Sequence, residues 1–540
     1  MDKAEGLFLR SASGLVREVS TTKAAFFNIA CSMGAGPMFA LSYIAFYPMA
    51  KVGPWPLFPW MIIIAGCIFG IFIMCFLFLV TAMPRSGGDY IYSSRIMHPY
   101  LGFMEAWMLI WGMIAAIGYN AWGTTYGVSA ALHSAFPLGL EATATWFAQK
   151  EVLLVLGIIA FLIAGGILIL GSAKQVQTIN SALGAFAVLM MIVTVLSVVG
   201  ADPNALETNL AKYGGTSTAA VVQQAAEAGY GPGAIDPSLI IGMLMFGFWT
   251  YVGFTYSTFI AGELKGNVTR NTSIAMSASI CAAAFASGFL SLPFLNLAGT
   301  DFVASWGYLF WNTGTAPLGN SAPYPTVLAS LLRPELAALQ ILNAAGIIVV
   351  FNFLVLIAIT VALTRAIFAM GMDRLLPSAL AQVNPRTHSP VNATILVLAL
   401  GFLYYLFQVF AWNPLTGLWV STFLFFPAFL FPGLNCIFLP FRRPEIYDLL
   451  PASLRKKALL PLCTWFGIVW VAVVLPVYSY TSFLPLFVGI APSVEFAINA
   501  GVIHLVVFFI VFTAVYLYAR WYNTKRGIDL GLVFKSIPPS

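Results

Sequence analysis

Cys31-Ser32-Met33-Gly34-Ala35-Gly36-Pro37 lies inside an apolar stretch that continues on both sides of it. In a helix interior a glycine costs about 1 kcal/mol and a proline about 3 kcal/mol relative to alanine, so this cluster opposes a continuous helix. Gly34 and Gly36 are two apart and face different ways, which does not suit the small-x-x-x-small pattern of a close helix crossing. Local unwinding at membrane depth is the better reading. A second irregular stretch is Phe246-Gly247-Phe248-Trp249-Thr250-Tyr251-Val252-Gly253-Phe254-Thr255, where glycines six apart sit among aromatic residues and threonines.

Composition places both stretches in a bilayer. Of 540 residues, 60% are apolar and 8% charged, whereas soluble domains carry about 25% charged residues. Apolar runs between polar or Pro/Gly-rich breaks predict twelve membrane helices, at 24–48, 57–82, 100–134, 152–172, 178–199, 237–262, 273–298, 336–370, 391–411, 415–440, 459–482 and 498–520. With the N-terminus inside, 21 of the 25 Lys and Arg residues fall in cytoplasmic segments, and only Lys51, Lys150, Lys212 and Arg333 fall outside. Cytoplasmic loops hold such an excess, so both termini are expected in the cytoplasm of a multi-pass cell-membrane protein. The same asymmetry absorbs the formal charge of +6 without a nucleic-acid partner. The six cysteines form no C-x-x-C pair and the four histidines are scattered, so neither a disulfide framework nor a metal site is expected.

The expected organisation is a cytoplasmic tail (1–23), a first five-helix unit (24–199), an extracellular loop (200–236), a second five-helix unit (237–440), peripheral helices 11 and 12 (441–520) and a second cytoplasmic tail (521–540). The outer break at 299–335, with Trp306, Tyr308, Phe310 and Trp311, suits either a surface loop or an interfacial helix over the outer mouth. The two irregular stretches fall in spans 1 and 6, the first helices of the two halves. Interrupted spans at corresponding positions of two halves point to a transporter substrate site. Unwound backbone at that depth needs partners, and an amino acid's carboxylate and ammonium supply them, to amides and carbonyls respectively.

On particular residues the chain resembles the amino acid permeases of the amino acid, polyamine and organocation transporter superfamily. These are Gly34-Ala35-Gly36; Pro84-Arg85-Ser86-Gly87-Gly88-Asp89-Tyr90-Ile91-Tyr92 after span 2; Pro99-Tyr100-Leu101-Gly102-Phe103 entering span 3; and Trp249-Thr250-Tyr251-Val252-Gly253-Phe254 in span 6. Further on come Gly262-Glu263-Leu264-Lys265, Thr364-Arg365-Ala366-Ile367-Phe368-Ala369-Met370, Asp373, Leu376-Pro377 and Ser389-Pro390-Val391-Asn392-Ala393. The resemblance covers spans 1 to 10. It implies an all-α, LeuT-like fold, a 5+5 inverted repeat with spans 1 and 6 discontinuous, followed by two peripheral helices.

Carried over by position, it implies a substrate site of Ser32, Gly34, Ala35, Gly36, Phe248, Trp249, Thr250, Val252, Gly253 and Thr255. Amides of Ala35 and Gly36 would take the carboxylate, carbonyls near Ser32, Trp249 and Val252 the ammonium, and Trp249 would shape and gate the side-chain pocket. Ala35 stands where the family often has Ser or Thr, and Thr255 replaces a common acidic residue. Lys265-Gly266-Asn267 replaces Lys-Asn-Pro. Some proton-coupled members have a lysine midway along span 5, where this chain has Ala187, so the coupling ion, Na+ or H+, stays open.

Within the spans the only ionised candidate away from helix ends is Glu105, either a proton-coupling carboxylate or an end-of-helix group reaching water. A charged substrate side chain at midplane would need a counter-ion, which the pocket lacks. A neutral, apolar or aromatic amino acid is therefore the expected substrate. Asp89, Glu263, Lys265, Arg365 and Asp373, joined by Arg17 or Lys23, are candidates for an inner gate of ion pairs, against solvated loop charges. An amine or nucleobase transporter, and less readily an integral membrane enzyme or a channel, are the alternatives. The chain has no Walker-type phosphate loop, no grouped catalytic set and no repeated filter segment.

Overall fold

A computed structural model describes residues 14–32, 58–231, 244, 248, 250–411, 425–487 and 503–537. The first half comprises α1 (Thr21–Ser32), α2 (Phe58–Ala82), α3 (Asp89–Ile96), α4 (Pro99–His133), α5 (Lys150–Leu170) and α6 (Ala173–Ser197). Next come α7 (Pro203–Gly214) and α8 (Thr218–Glu227). The second half holds α9 (Tyr256–Phe259), α10 (Val268–Ala298), α11 (Thr300–Tyr308), α12 (Pro325–Leu332), α13 (Pro334–Met372), α14 (Val391–Phe410) and α15 (Leu430–Arg442), and α16 (Leu462–Phe487) and α17 (Ile503–Lys525) close the chain. Among the described residues eight helices are long and apolar enough to cross a membrane, and two shorter apolar helices accompany them.

Local chemistry sets several boundaries. Gly171 ends α5 and Ser172 opens α6, where Ser172 Oγ accepts from Gln175 N at 3.3 Å and Gln175 Oε1 accepts from Ser172 N at 2.9 Å. That reciprocal cap starts the helix at Ala173, earlier than the apolar run alone predicts. Pro99 at the first helical position and the His98 cap start α4, whose 35 residues exceed the length needed to span a bilayer.

The long α4 is the central post. It packs against α13 and α14, while α5 packs on α14 and α17 lies against α4 from outside. Small residues permit the close approach: a Cβ added at Gly118 would fall 2.7 Å from Tyr404, and one at Gly157 would fall 2.1 Å from the Tyr405 ring. On the other side α1 packs on α6, α10 and α13, and α2 packs on α10 and α16. Helices α10 and α13 each contain a widened π-type segment, Ala284–Gly288 and Ala345–Val350, a local irregularity frequent near functional sites.

The segment expected as an extracellular loop (200–236) holds, within its described part 200–231, α7 and α8, which pack on α12 and α11. Trp306 is fully buried and donates from Nε1 to Ser321 O at 2.7 Å; Tyr308 donates to Ala228 O at 2.9 Å. The second break is thus not an open loop, since it holds α11 and α12. Tyr308 also stacks on Tyr230 of the first break, with ring centroids 5.0 Å apart, which removes apolar area of both from water.

Candidate functional site

The chain is helical at Thr250 and Tyr251, leaves the helix at Val252–Thr255 and resumes it in α9. Gly253 has φ +95°, a conformation that residues with a side chain rarely adopt. Span 6 is therefore interrupted within its apolar run, at the second glycine of the expected stretch. Only short turns replace the lost ladder, with Phe254 N donating to Tyr251 O at 3.1 Å and Tyr256 N to Gly253 O at 3.0 Å.

The groups freed by that turn are taken up by α1. Asn28 Oδ1 accepts from Ser257 N at 2.7 Å, and Asn28 Nδ2 donates to Phe254 O at 2.5 Å and to Ser257 Oγ at 3.1 Å. Asn28 is fully buried, so one amide side chain replaces water for a donor and an acceptor of the broken span. Sequence reading missed this residue. Its signal was a lone amide in an apolar helix, three residues before Cys31. Ser32 Oγ meets Ser279 Oγ at 2.6 Å, tying the end of α1 to α10.

Of the expected substrate residues, Ser32, Phe248, Thr250, Val252, Gly253 and Thr255 fall within this region, the five with side chains all buried. Gly34, Ala35, Gly36 and Trp249 lie outside the described residues. The aromatic wall is centred on Phe69 of α2, whose ring centroid lies 4.9 Å from Phe248, 5.5 Å from Tyr251 and 5.1 Å from Phe254. Tyr251 donates to Ile62 O at 2.7 Å, anchoring the last helical turn before the break to α2.

Gly253 also sets the contact between the two spans: a Cβ there would lie 2.4 Å from Cys31 Cβ. Gly253→Ala combines that collision with a backbone strain of about 1–3 kcal/mol. It is expected to lower the thermal midpoint in detergent and to slow uptake. Cys31→Gly in the same chain should restore part of both, and a single variant with unaltered stability and uptake would show that the contact is dispensable.

The charged residues sort into two buried pairs. Arg365 Nε and Nη2 donate to Glu263 Oε1 and Oε2 at 2.9 and 3.0 Å. Asp373 pairs instead with Arg95 of α3, whose Nη1 and Nη2 donate at 2.6 and 2.7 Å, and Tyr90 adds a hydroxyl at 2.6 Å. Arg95, absent from the expected set, carries the rings of Tyr90 and Phe534 at 5.8 and 5.0 Å from its guanidinium carbon. All four charged side chains are at most 6% exposed, and the bidentate geometry supplies the hydrogen bonds that such burial demands. A void of about 10 Å³ beside Glu263, Arg365, Thr360 and Thr364 has room for about one water.

Several expected members stand elsewhere. Lys265 is exposed and forms no ion pair among the described residues. Lys23 Nζ donates to Lys174 O and Thr178 Oγ1 at 3.1 and 2.5 Å, and Arg17, close enough to Arg85 for like-charge repulsion, forms no salt bridge among the described residues. Asp89 is buried with no basic partner among the described residues. The reading of Glu105 as an end-of-helix group reaching water is corrected, because the residue is 0% exposed. Helix α3 and its neighbours cover that turn of α4, which a linear sequence does not reveal.

Residues 14–20 also pack on this face. Glu18 N and Val19 N both donate to Glu263 O at 3.0 Å, and Lys265 N donates to Val19 O at 2.9 Å. The segment preceding α1 is thereby joined to the backbone of the Glu263 pair.

Comparison with protein families matches residues 20–512 to a model described as amino acid permease. Comparison with curated proteins gives no match.

Proposed function

We propose, from the premise that the chain belongs to the amino acid permease family, that it moves a neutral amino acid with an apolar or aromatic side chain across the cell membrane. Family membership makes it a multi-pass membrane transporter rather than an enzyme. The finer reading is alternating access on twelve helices in a LeuT-like 5+5 arrangement. Spans 1, 2, 6 and 7 rock against spans 3, 4, 5 and 8 to 10, driven by a Na+ or H+ gradient.

The observation that carries this reading is the turn at Val252–Thr255 held by Asn28. Peptide groups freed inside a packed membrane core need partners, and here α1 provides them for one side of the break. A zwitterion serves the remaining groups, its carboxylate at the amides of Ala35 and Gly36 and its ammonium at carbonyls of Ser32, Trp249 and Val252. Phe248 and Trp249 line the side-chain pocket. The Glu263–Arg365 and Asp373–Arg95 pairs close the inner end, and they separate as the pathway opens to the cytoplasm.

Counterflow by the purified chain in proteoliposomes tests the substrate class. Labelled leucine or phenylalanine is expected to exchange, whereas arginine, glutamate, aliphatic amines and nucleobases are not. Exchange confined to an amine or a nucleobase would replace the amino acid by that solute on the same frame.

A further inference from the structure

Helices α3 and α4 meet at Gly102, where a Cβ would fall 2.4 Å from Ser94 N. One turn further, Glu105 is fully buried, and neither of its carboxyl oxygens has a hydrogen-bond partner among the described residues. Asp89 of α3 is 6% exposed, and its Oδ1 likewise lacks a partner there. The two carboxyl groups are electrostatic neighbours, with Ser93 beside Glu105.

Among the described residues no salt bridge reaches either of them. Arg95 is held by Asp373 and Arg365 by Glu263. Arg520 of α17 is exposed and lines a cytoplasmic cavity. Among the other titratable groups on the surrounding elements, Tyr90 donates to Asp373 and Cys436 of α15 donates to Cys75 O at 3.4 Å. Tyr516 of α17 packs on Tyr100 and Phe103, and Tyr92 neighbours both Asp89 and Thr258. Asn435 of α15 donates to Ser93 Oγ at 2.7 Å and does not reach Glu105. Two ionised carboxylates in such a dry contact would each carry a desolvation penalty of several kcal/mol, as well as mutual repulsion. Burial alone lifts the Asp89 carboxyl from its ordinary range to about 7.

We infer that Glu105 and Asp89 form one proton-binding site, and that the coupling ion of this transporter is H+. The inference rests on the transport reading above. A proton adds to one carboxylate oxygen to make an O–H, the pair then holds a single negative charge at most, and the same proton leaves to water when the contact opens. Tyr92 of α3 lies beside both Asp89 and Thr258 of α9, and its hydroxyl has no hydrogen-bond partner among the described residues.

Two measurements on the full-length protein separate this inference from the transport reading. In proteoliposomes a pH difference of one unit, acid outside, sustains about tenfold accumulation at one proton per substrate. Wild type is expected to accumulate leucine or phenylalanine under that gradient and to take up protons with it. Glu105→Gln should still exchange labelled for unlabelled substrate, but without accumulation and with no response to pH; Asp89→Asn should lie between. Independently of transport, infrared spectroscopy of wild type should show a protonated-carboxyl stretch that titrates, and Glu105→Gln should lose it.

Proton-driven accumulation retained in Glu105→Gln, accumulation by wild type only under a sodium gradient, or an infrared band unchanged by the substitution would each overturn the proton site. Absence of any amino acid exchange in wild type would remove the transport reading and the coupling with it. The infrared band would still decide whether the pair binds a proton.

Discussion

Asn28→Leu is expected to abolish uptake and to destabilise the folded protein by about 2–6 kcal/mol, because it leaves two buried backbone groups unsatisfied at about 1–3 kcal/mol each. The groups are Ser257 N–H at the start of α9 and Phe254 C=O within the turn in span 6. Leucine fills similar space but neither donates nor accepts, and no water replaces the amide at a fully buried position. Asn28→Asp keeps the acceptor for Ser257 N and loses the donor to Phe254 O, so its thermal midpoint should fall between wild type and leucine. Thermal unfolding in detergent, read beside counterflow, checks this order. If Asn28→Leu melts and transports as wild type does, the break is held by something other than α1.

Arg365→Leu should be comparably damaging. It strands the Glu263 carboxylate, whose side chain is 1% exposed, and breaking a buried ion pair from one side costs about 3–5 kcal/mol. Glu263→Leu with Arg365→Leu removes both charges and is expected to recover most of the lost stability, since replacing an entire buried pair by apolar residues is often neutral. Transport should not recover in step. On the proposed gating, only the Asp373–Arg95 pair then holds the inner end, and a cysteine at Thr360, beside the small void, is expected to label faster from the cytoplasmic side. Equal labelling rates in the double variant and in the paired protein, both carrying that cysteine, would assign the pair to folding alone.

These expectations differ in how far the sequence anticipated them. Gly253 was singled out because glycine among aromatics opposes a continuous helix, and the turn lies there. Glu263, Arg365 and Asp373 were singled out as a cytoplasmic set, and they do occupy buried ion pairs. Their partners were less legible. Asp373 is held by Arg95 and Tyr90, 278 and 283 residues away in the chain. Lys265 belongs to the same stretch as Glu263 but faces away. Glu105 looked like a group near a helix end, and only α3 packed across it makes the site dry.

What the sequence by itself determined is what depends on one segment at a time. Bilayer solvation follows from apolar content, helix placement from runs of suitable length, and the weak point of span 6 from a glycine whose neighbours cannot supply its conformation. What only the tertiary structure decided is which buried polar group answers which. Asn28 for the freed peptide groups, Arg95 for Asp373, and the absence of a salt bridge to Glu105 among the described residues all depend on side chains brought together from distant parts of the chain. Hydrogen bonds and ion pairs act over a few ångströms in space, and spacing along a sequence of membrane helices does not encode which faces will meet.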